Sequence, residues 1–392
     1  MADVYVQDGR QKKIRDGHPW IYRNEIARVE GETEDGGPVR ALDAHGRLLG
    51  HGFYNGRSMI TVRLLTHRDE PADASLIARR VREAVAYRDL CMRRDDTDCR
   101  RLIYGEADRL PGVICDQFGP VVVLQVLALG MERWTDEIVR ALQGCVPSMR
   151  ALLLKNDDAI REKEGMERFS RVLLGEVGEE TLVRENGLTL RVDLRGGQKT
   201  GSFLDQKENH RFLRRFARGA RVLDCFTYAG GFALNAAAAG AASVCAVDIS
   251  EAACALAREN AARNGLAVEV ACANCFDFLR AKGRERAQYD VVVLDPPAFT
   301  KARANLDAAR RGYKEIALSA MRLLPAGGVL AAHSCSYHMP EDVFVKTTLS
   351  AAQDLRRAVR VITLRRQDVD HPVLAGYPES YYLKSLWMQM LD

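Results

Sequence analysis

The spacing of apolar residues changes along the chain and divides it into three regions. Residues 1–72 contain short alternating apolar and polar runs, such as 58–65, separated by glycine-containing turns, which is typical of a small β-barrel or sandwich. Residues 73–190 open with apolar residues at helical spacing over 74–92. Strand candidates follow at 121–127, 151–154 and 188–192. This second region has no catalytic motif and is predicted to be a small central α+β domain.

Residues 191–392 contain strands that alternate with helical segments. The predicted strands are 220–224, 243–248, 267–271, 290–295 and 328–333, and the predicted helices include 232–239, 251–264 and 312–324. Such alternation predicts a doubly wound, Rossmann-like α/β sheet. Right-handed crossovers then bring the loops at the carboxyl ends of the strands to one edge, where ligands bind.

Composition restricts the classes of protein to which this chain can belong. The 392 residues are 47% hydrophobic and 28% charged, and the net charge of +4 does not by itself indicate a nucleic-acid partner. The first 20 residues contain no secretory signal, and the longest apolar run, 121–131, is shorter than the roughly 20 residues that span a bilayer. Most of the ten cysteines lie in apolar surroundings, which favours reduced thiols and a cytoplasmic location. The one CxxC, at 272–275, has no second pair at zinc-ligand spacing, so no metal site is predicted.

The ends of the first two strands in the third region suggest a nucleotide-type cofactor. Asp224 is followed by a turn with two consecutive glycines, at which a backbone can approach a ligand closely. Asp248 comes 24 positions later, where a carboxylate can bind ribose hydroxyls. A nicotinamide dehydrogenase would carry G-x-G-x-x-G at the first turn, but Tyr228 precedes Ala229 there. We expect the turn residues Phe226, Tyr228 and Gly230 to help bind the cofactor.

The next two strand ends extend this site. Asn274, Asp277 and Phe278 follow the third strand and are suited to the edge and face of an adenine, although a helix cap or turn is an alternative role for Asp277. The fourth strand ends in DPPAF at 295–299, where prolines present carbonyls without competing N–H donors. The four strand ends together resemble those of class I methyltransferases, which implies S-adenosyl-L-methionine as the cofactor.

The fifth strand brings a cysteine, Cys335, to the edge that also holds Asp295. Carbon 5 of cytosine is a poor nucleophile, and addition of a thiolate to carbon 6 makes it able to accept a methyl group. The thiolate requires a nearby cation or helix terminus, and His333 and His338 are near in sequence. Asp295 is the candidate to support the protonated ring nitrogen. The alternative is that Cys335 is a buried structural cysteine.

With these motifs, the chain resembles bacterial large-subunit ribosomal RNA cytosine-5 methyltransferases, which join a PUA domain, a central domain and a class I methyltransferase domain. The resemblance covers nearly the whole chain and implies that Gln206, Asp224, Asp248 and Asp277 contact the cofactor and that Cys335 is the nucleophile. Many RNA cytosine-5 methyltransferases carry a second cysteine where Ala298 stands here, so the base that removes the carbon-5 proton is unassigned. The matching segments are 17–22, 105–116, 197–206 and 371–379.

The resemblance implies a ribosomal RNA substrate, free or partly assembled, and no membrane partner. Basic residues at 10–15 beside Trp20 and Tyr22, the seven Lys and Arg of 199–221, and those of 310–314 could contact phosphates, although solvated helix faces explain each cluster equally well. Without a coiled coil or a long apolar stripe, a homodimer is left open.

Three other functions compete with this interpretation. A methyltransferase acting on a guanine nitrogen needs no thiol, because the nitrogen lone pair attacks the methyl group directly. A small-molecule methyltransferase would not need the N-terminal RNA-type domain. A non-catalytic RNA-binding assembly factor could retain the fold without the chemistry.

Overall fold

The computed structural model describes residues 1–92, 95–197, 199–300 and 305–392. Gln198, in the motif predicted at 197–206, lies outside these residues. The described chain forms two compact units, each assembled from several segments. Unit 1 comprises 1–183, 192–204 and 369–380, and unit 2 comprises 184–191, 205–368 and 381–392.

The first sheet of unit 1 is built from short strands in the first 66 residues. Its strand order is β2-β6-β5-β4-β1-β3. Alternate residues of β1, including Val4 and Val6, are buried against Ile14, which is the two-residue period of a half-buried strand. The elements are β1 (Ala2–Val6), α1 (Gln11–Arg15), β2 (Trp20–Ile21), β3 (Ile26–Glu30), β4 (Pro38–Leu42), β5 (Leu48–Tyr54) and β6 (Val62–Thr66).

The second sheet of unit 1 packs on a long helix. This helix begins after Asp73, whose side chain accepts a hydrogen bond from Leu76 N at 3.0 Å, as a helix cap does. The sheet order is β11-β10-β9-β8-β7. The elements are α2 (Ala74–Cys91), β7 (Cys99–Tyr104), β8 (Val113–Phe118), β9 (Val121–Val126), α3 (Leu129–Glu132), α4 (Thr135–Cys145), β10 (Ala151–Asn156), α5 (Ile160–Lys163) and β11 (Phe169–Leu174). Next in the chain come β12 (Thr181–Glu185) and β13 (Leu188–Val192), which form a separate two-stranded sheet.

Unit 2 contains the predicted Rossmann-like sheet. Its described strands have the order β16-β15-β14-β17-β18-β20-β19, in which β14 to β18 are parallel and β20 is antiparallel to both neighbours. The strands are β14 (Arg221–Cys225), β15 (Ser243–Asp248), β16 (Glu269–Cys272), β17 (Val291–Leu294), β18 (Val329–Ser334), β19 (Val359–Arg365) and β20 (Lys384–Met390). The helices are α6 (Lys207–Ala217), α7 (Gly231–Ala238), α8 (Glu251–Arg263), α9 (Cys275–Arg284), α10 (Leu306–Met321) and α11 (Glu341–Asp354).

The sheet of unit 2 is covered on both faces. Val222 lies in one hydrophobic core and Leu223 in another, because successive side chains of a strand point to opposite faces. Parallel strands buried on both faces have nearly continuous apolar sequences. The doubly wound fold predicted from these sequences is confirmed.

The boundaries of most predicted elements in unit 2 agree with the structure to within two residues, but one helix was mispredicted. The helix expected from residue 312 begins at Leu306. Gly312, the first residue of the predicted helix, lies inside α10, where a Cβ would meet the Phe299 ring at 3.1 Å. Among the described residues, the structure contains no helix with the length and hydrophobicity needed to cross a membrane.

Candidate active site

The loop after β14 has an unusual backbone. Phe226 and Tyr228 have φ angles of 66° and 49°, and Gly230 has 91°, so two side-chain-bearing residues adopt the left-handed conformation that favours glycine. Such conformations cost free energy and occur often at functional sites. The loop predicted to bind the cofactor is therefore held in a specific, energetically unfavourable shape.

The side chain of Asp224 stabilises this loop through hydrogen bonds. Its fully buried carboxylate accepts hydrogen bonds from Thr227 Oγ1 at 2.6 Å and from Ala233 N at 3.0 Å. Burial raises the pKa of Asp224 to about 6, although these two hydrogen bonds oppose the rise. The other carboxylate oxygen, Oδ1, is buried and has no hydrogen-bond partner among the described residues. A buried acceptor of this kind is suited to a donor supplied by a ligand.

Asp248 lies beside the same loop, as the strand order predicts. Its Oδ2 accepts a hydrogen bond from Tyr228 N at 3.0 Å, and its Oδ1 accepts one from Ser250 N at 2.9 Å. The carboxylate is partly exposed. It therefore stabilises the loop and remains accessible to a ligand.

The three predicted cofactor residues after β16 have different surroundings. Asn274 caps α9 by accepting a hydrogen bond from Phe276 N at 2.9 Å. Asp277 is exposed and pairs with Arg280 at 2.6 Å, so its carboxylate already has a cationic partner. Phe278 is partly buried.

A different aromatic residue, Phe276, joins the loops at the sheet edge. Its ring centroid lies 6.5 Å from that of Phe226 and 6.0 Å from that of Phe299. These rings connect the loops after β14 and β17. The sequence pattern gave no reason to choose Phe276 over Phe278, because both are adjacent to Asp277.

The sequence also did not identify His210, a buried residue of α6. Its Nδ1 lies 2.7 Å from Glu185 Oε1. Burial lowers the pKa of His210, but the charges of Glu185, Asp295 and Asp224 outweigh that effect and raise it overall. A Cβ at Gly231 would lie 2.4 Å from His210 Cε1, so this close contact requires glycine at the start of α7.

Asp295, at the end of β17, titrates near neutrality. Burial and the neighbouring Asp205 carboxylate raise its pKa to about 7, while His210 and the side chain of Gln206 oppose the rise. Gln206, a predicted cofactor ligand, is itself buried and accepts a hydrogen bond from Asn209 Nδ2 at 2.7 Å. At neutral pH a substantial fraction of Asp295 is therefore a neutral carboxylic acid that can donate a proton.

Cys335 lies next to the Asp295 loop, as expected for neighbouring parallel strands. Its Sγ is 3.9 Å from Pro296 O, and the thiol is partly exposed. On either side of it, Ser334 Oγ donates to Tyr313 Oη at 2.9 Å and Ser336 Oγ donates to Thr300 O at 2.8 Å. These bonds fix the backbone that carries the thiol.

The two histidines near Cys335 in sequence differ in their surroundings. His333 is buried between Phe232, at 4.9 Å, and Trp387, at 5.9 Å between ring centroids. Burial lowers its pKa to about 3, and neither ring nitrogen has a hydrogen-bond partner in the described part of the chain. His333 is therefore neutral and does not supply the cation that a thiolate needs. His338 packs against Tyr337, with ring centroids 5.5 Å apart.

Many of the predicted RNA-contacting basic residues are already paired or buried. In unit 1, Lys13 forms an ion pair with Glu25 at 2.8 Å, and Arg15 pairs with Asp43. In unit 2, Lys207 is fully buried and lies 3.2 Å from Asp368, so an RNA cannot reach it in this structure.

Sequence comparisons identify the family of the chain. Residues 150–372 match the model of the S-adenosylmethionine-dependent methyltransferase family, and residues 4–67 match a PUA-like domain. The chain therefore belongs to the S-adenosylmethionine-dependent methyltransferase family, and S-adenosylmethionine is its cofactor.

Its relatives include ribosomal RNA large subunit methyltransferase I of Erwinia tasmaniensis, 40% identical over 97% of both chains. The protein of the same name from Klebsiella pneumoniae is 41% identical over 97% of this chain and 96% of its own.

Solved structures show the same fold over almost the whole chain. A candidate SAM-dependent methyltransferase from Streptococcus mutans has a TM-score of 0.85 at 22% identity and covers 99% of this chain and 100% of its own. A candidate methyltransferase complexed with SAH has a TM-score of 0.86 at the same identity and coverage.

The residues of the site fit the cofactor. The sulfonium and amino groups of S-adenosylmethionine are cationic, and the carboxylates of Asp224 and Asp248 meet at the first loop. Within the described ranges, Oδ1 of Asp224 is a buried acceptor to which no residue donates a hydrogen bond. The rings of Phe226 and Phe276 provide apolar surface for a planar base.

Proposed function

We propose that this protein transfers a methyl group from S-adenosylmethionine to carbon 5 of a cytosine in large-subunit ribosomal RNA, through a covalent adduct with Cys335. The observation that carries the proposal is a partly exposed thiol beside the Asp295 loop, on the sheet edge that holds the cofactor residues. The relatives' name supports ribosomal RNA of the large subunit as the substrate. The proposal keeps the division into domains at 1–72, 73–190 and 191–392.

Asp295 and Cys335 would act at opposite sides of the pyrimidine. The Cys335 thiolate adds to carbon 6, and the electron pair of the carbon 5–carbon 6 double bond moves toward the ring nitrogen and carbonyl. Asp295 donates a proton to ring nitrogen 3. Its pKa of about 7 suits this step, because a general acid is most effective when its pKa is near the working pH.

The cofactor would be held by residues around the first two strand ends. Asp224, Asp248, Gln206 and the loop containing Phe226, Tyr228 and Gly230 are the proposed contacts, together with Asn274, Asp277 and Phe278. Bound there, S-adenosylmethionine supplies an electrophilic methyl group. Removal of the carbon-5 proton then re-forms the carbon 5–carbon 6 double bond and returns the carbon 6–sulfur electron pair to Cys335, and ring nitrogen 3 returns its proton to Asp295.

The release step needs a base that Ala298 cannot supply. Water or a carboxylate of the site must accept the carbon-5 proton. The ten cysteines, all within the described residues, form no disulfide bonds, and reduced thiols suit both the proposed reaction and the proposed cytoplasmic location.

Nucleoside mass spectrometry tests the reaction. Unmodified large-subunit ribosomal RNA, as free RNA and as assembled subunits, is incubated with the protein and methyl-labelled S-adenosylmethionine. We expect label in 5-methylcytidine with free or partly assembled RNA, and loss of that label in Cys335→Ala with unchanged cofactor binding. Cys91→Ala, which removes an exposed thiol of unit 1, is the matched control and should retain activity.

The other outcomes identify the competing functions. Label in a methylated guanosine, with full activity in Cys335→Ala, would establish a guanine-nitrogen methyltransferase. RNA binding without label in any nucleoside would indicate an assembly factor.

Sedimentation of the same protein decides between a monomer and the homodimer.

A further inference from the structure

A buried lysine lies beside the segment that carries Cys335. Lys384 is the first residue of β20 and is 2% exposed. Its Nζ donates hydrogen bonds to Ser336 O at 2.6 Å and to Tyr382 O at 3.0 Å. Ser336 follows Cys335 directly, so the ammonium group is bound to the backbone of the residue next to the proposed nucleophile.

The sheet fixes this position. β20 runs antiparallel to β18, and Lys384 is the register partner of Ser334. A lysine at this point of β20 therefore always lies level with the end of β18. A buried ammonium group is costly unless a compensating negative charge or hydrogen bonds accompany it. Among the described residues, two carbonyls accept hydrogen bonds from two of its three N–H donors.

We propose that Lys384 is the positioning residue that maintains Cys335 as a thiolate, with its ammonium group balancing the charge on sulfur. This inference rests on the proposed function of Cys335. When the S–H bond breaks, the proton leaves to water and the electron pair stays on sulfur. In a partly buried setting, a nearby positive charge favours that separation much more than it would in water.

The electrostatics of Lys384 agree with this role. Burial lowers its pKa to about 8, and the negative charges of Cys335 and Glu341 oppose that decrease. The amine is thus mostly protonated at neutral pH. The neutral, buried His333 cannot take the same role.

Other ionisable groups face this pair and contribute to any pH profile. Tyr313 of α10 bonds to Ser334, and burial raises its pKa above the usual range. Glu341, at the start of α11, accepts a hydrogen bond from the Tyr381 hydroxyl. The remaining groups are Asp295 at the end of β17, Tyr382 with its acceptor Asp205, Arg366 over the Tyr381 ring, and His338.

Alkylation of Cys335 separates a charge effect from a structural one. The full-length protein reacts with iodoacetamide from about pH 6 to about pH 10, and the rate at Cys335 is read by peptide mass spectrometry. In Lys384→Met we expect the midpoint of the rate profile to rise by about one pH unit or more, which lowers the thiolate fraction at neutral pH about tenfold. The methyl-transfer rate at neutral pH should fall by a similar factor and recover as the pH is raised.

Two further variants at the same position distinguish charge from hydrogen bonding. Lys384→Arg keeps the charge and should hold the midpoint near that of the unmodified protein, whereas Lys384→Gln keeps a donor without charge and should resemble Lys384→Met. Lys346→Met, which removes an exposed lysine of α11 that pairs with Asp342, is the control and should leave the profile unchanged.

The outcomes test the role of Lys384 and the cytosine reaction separately. An unchanged Cys335 midpoint in Lys384→Met or Lys384→Gln, in protein that still binds S-adenosylmethionine, would overturn the role of Lys384. If Lys384→Met does not fold, the comparison of Lys384→Arg with Lys384→Gln decides. A raised midpoint without label in 5-methylcytidine would retain Lys384 as the thiol's charge partner and reject the cytosine reaction.

Discussion

Replacing Asp295 by asparagine should stabilise the protein at alkaline pH while it removes the proposed proton donor. The pKa of Asp295 is raised from 3.8 to about 7, so the folded protein favours the protonated form. The contribution of the protonated Asp295 to the free energy of unfolding is complete below pH 3.8 and is lost as the pH rises through about 7. Above that pH, unit 2 bears the cost of a carboxylate beside Asp205 and Asp224.

The size of this cost follows from the two pKa values. The difference between 3.8 and about 7 corresponds to about 4 kcal/mol, because one pKa unit equals about 1.4 kcal/mol. Asp295 is partly exposed, and water screens some of the repulsion. We therefore expect Asp295→Asn to increase the free energy of unfolding of unit 2 by about 1–3 kcal/mol at pH 8.5 and by little at pH 4.

Urea denaturation can isolate this effect. The chain has three tryptophans, and in a Trp20→Phe, Trp134→Phe background the fluorescence reports on Trp387, which is fully buried in unit 2. The midpoint is compared at both pH values. Asp277→Asn, which changes an exposed carboxylate paired with Arg280, is the control. It should change the free energy of unfolding by less than about 1 kcal/mol. A stability loss in Asp295→Asn at pH 8.5, or an equal effect at both pH values, would refute the reasoning.

Three other substitutions each test a specific contact. Asp224→Ala should weaken S-adenosylmethionine binding by about tenfold to a hundredfold in calorimetry, because hydrogen bonds to a charged group are worth about 1.5–3 kcal/mol; unchanged affinity would exclude its role. Gly231→Ala should also lower affinity and the melting temperature, since its Cβ would meet His210 at 2.4 Å; wild-type values would show that His210 can move. Arg88→Met removes a fully buried guanidinium and leaves the half-buried Asp108, 2.6 Å away, without its cation. It should cost unit 1 about 3–5 kcal/mol in urea denaturation; a loss below about 1 kcal/mol would contradict this.

The fold of unit 2 could be predicted because its central strands, such as β14, β17 and β18, are buried on both faces. The apolar runs at Val291–Leu294 and Ser243–Asp248 identify central parallel strands without help from distant residues. The carboxyl ends of such strands meet at one edge by topology alone. Asp224, Asp248, Asp295 and Cys335 could therefore be placed at this edge from their positions in the sequence.

The remaining site residues depend on contacts between distant parts of the chain. His210 lies 25 positions from its partner Glu185, and Lys384 lies 48 positions from Ser336. Neither belongs to a local motif. The antiparallel position of β20 between β18 and β19 also leaves no periodic signal in the sequence, so the cation beside Cys335 could not be assigned to Lys384 before the structure was known.

The position of β20 has a consequence for biosynthesis. Residues 384–390 form an inner strand, paired on both sides, although they are translated after every other strand of the sheet. While they remain in the ribosomal exit tunnel, β18 and β19 have no hydrogen-bonding partner between them. The nascent enzyme therefore cannot complete its sheet, or place Lys384 beside the thiol, until these residues have emerged from the ribosome.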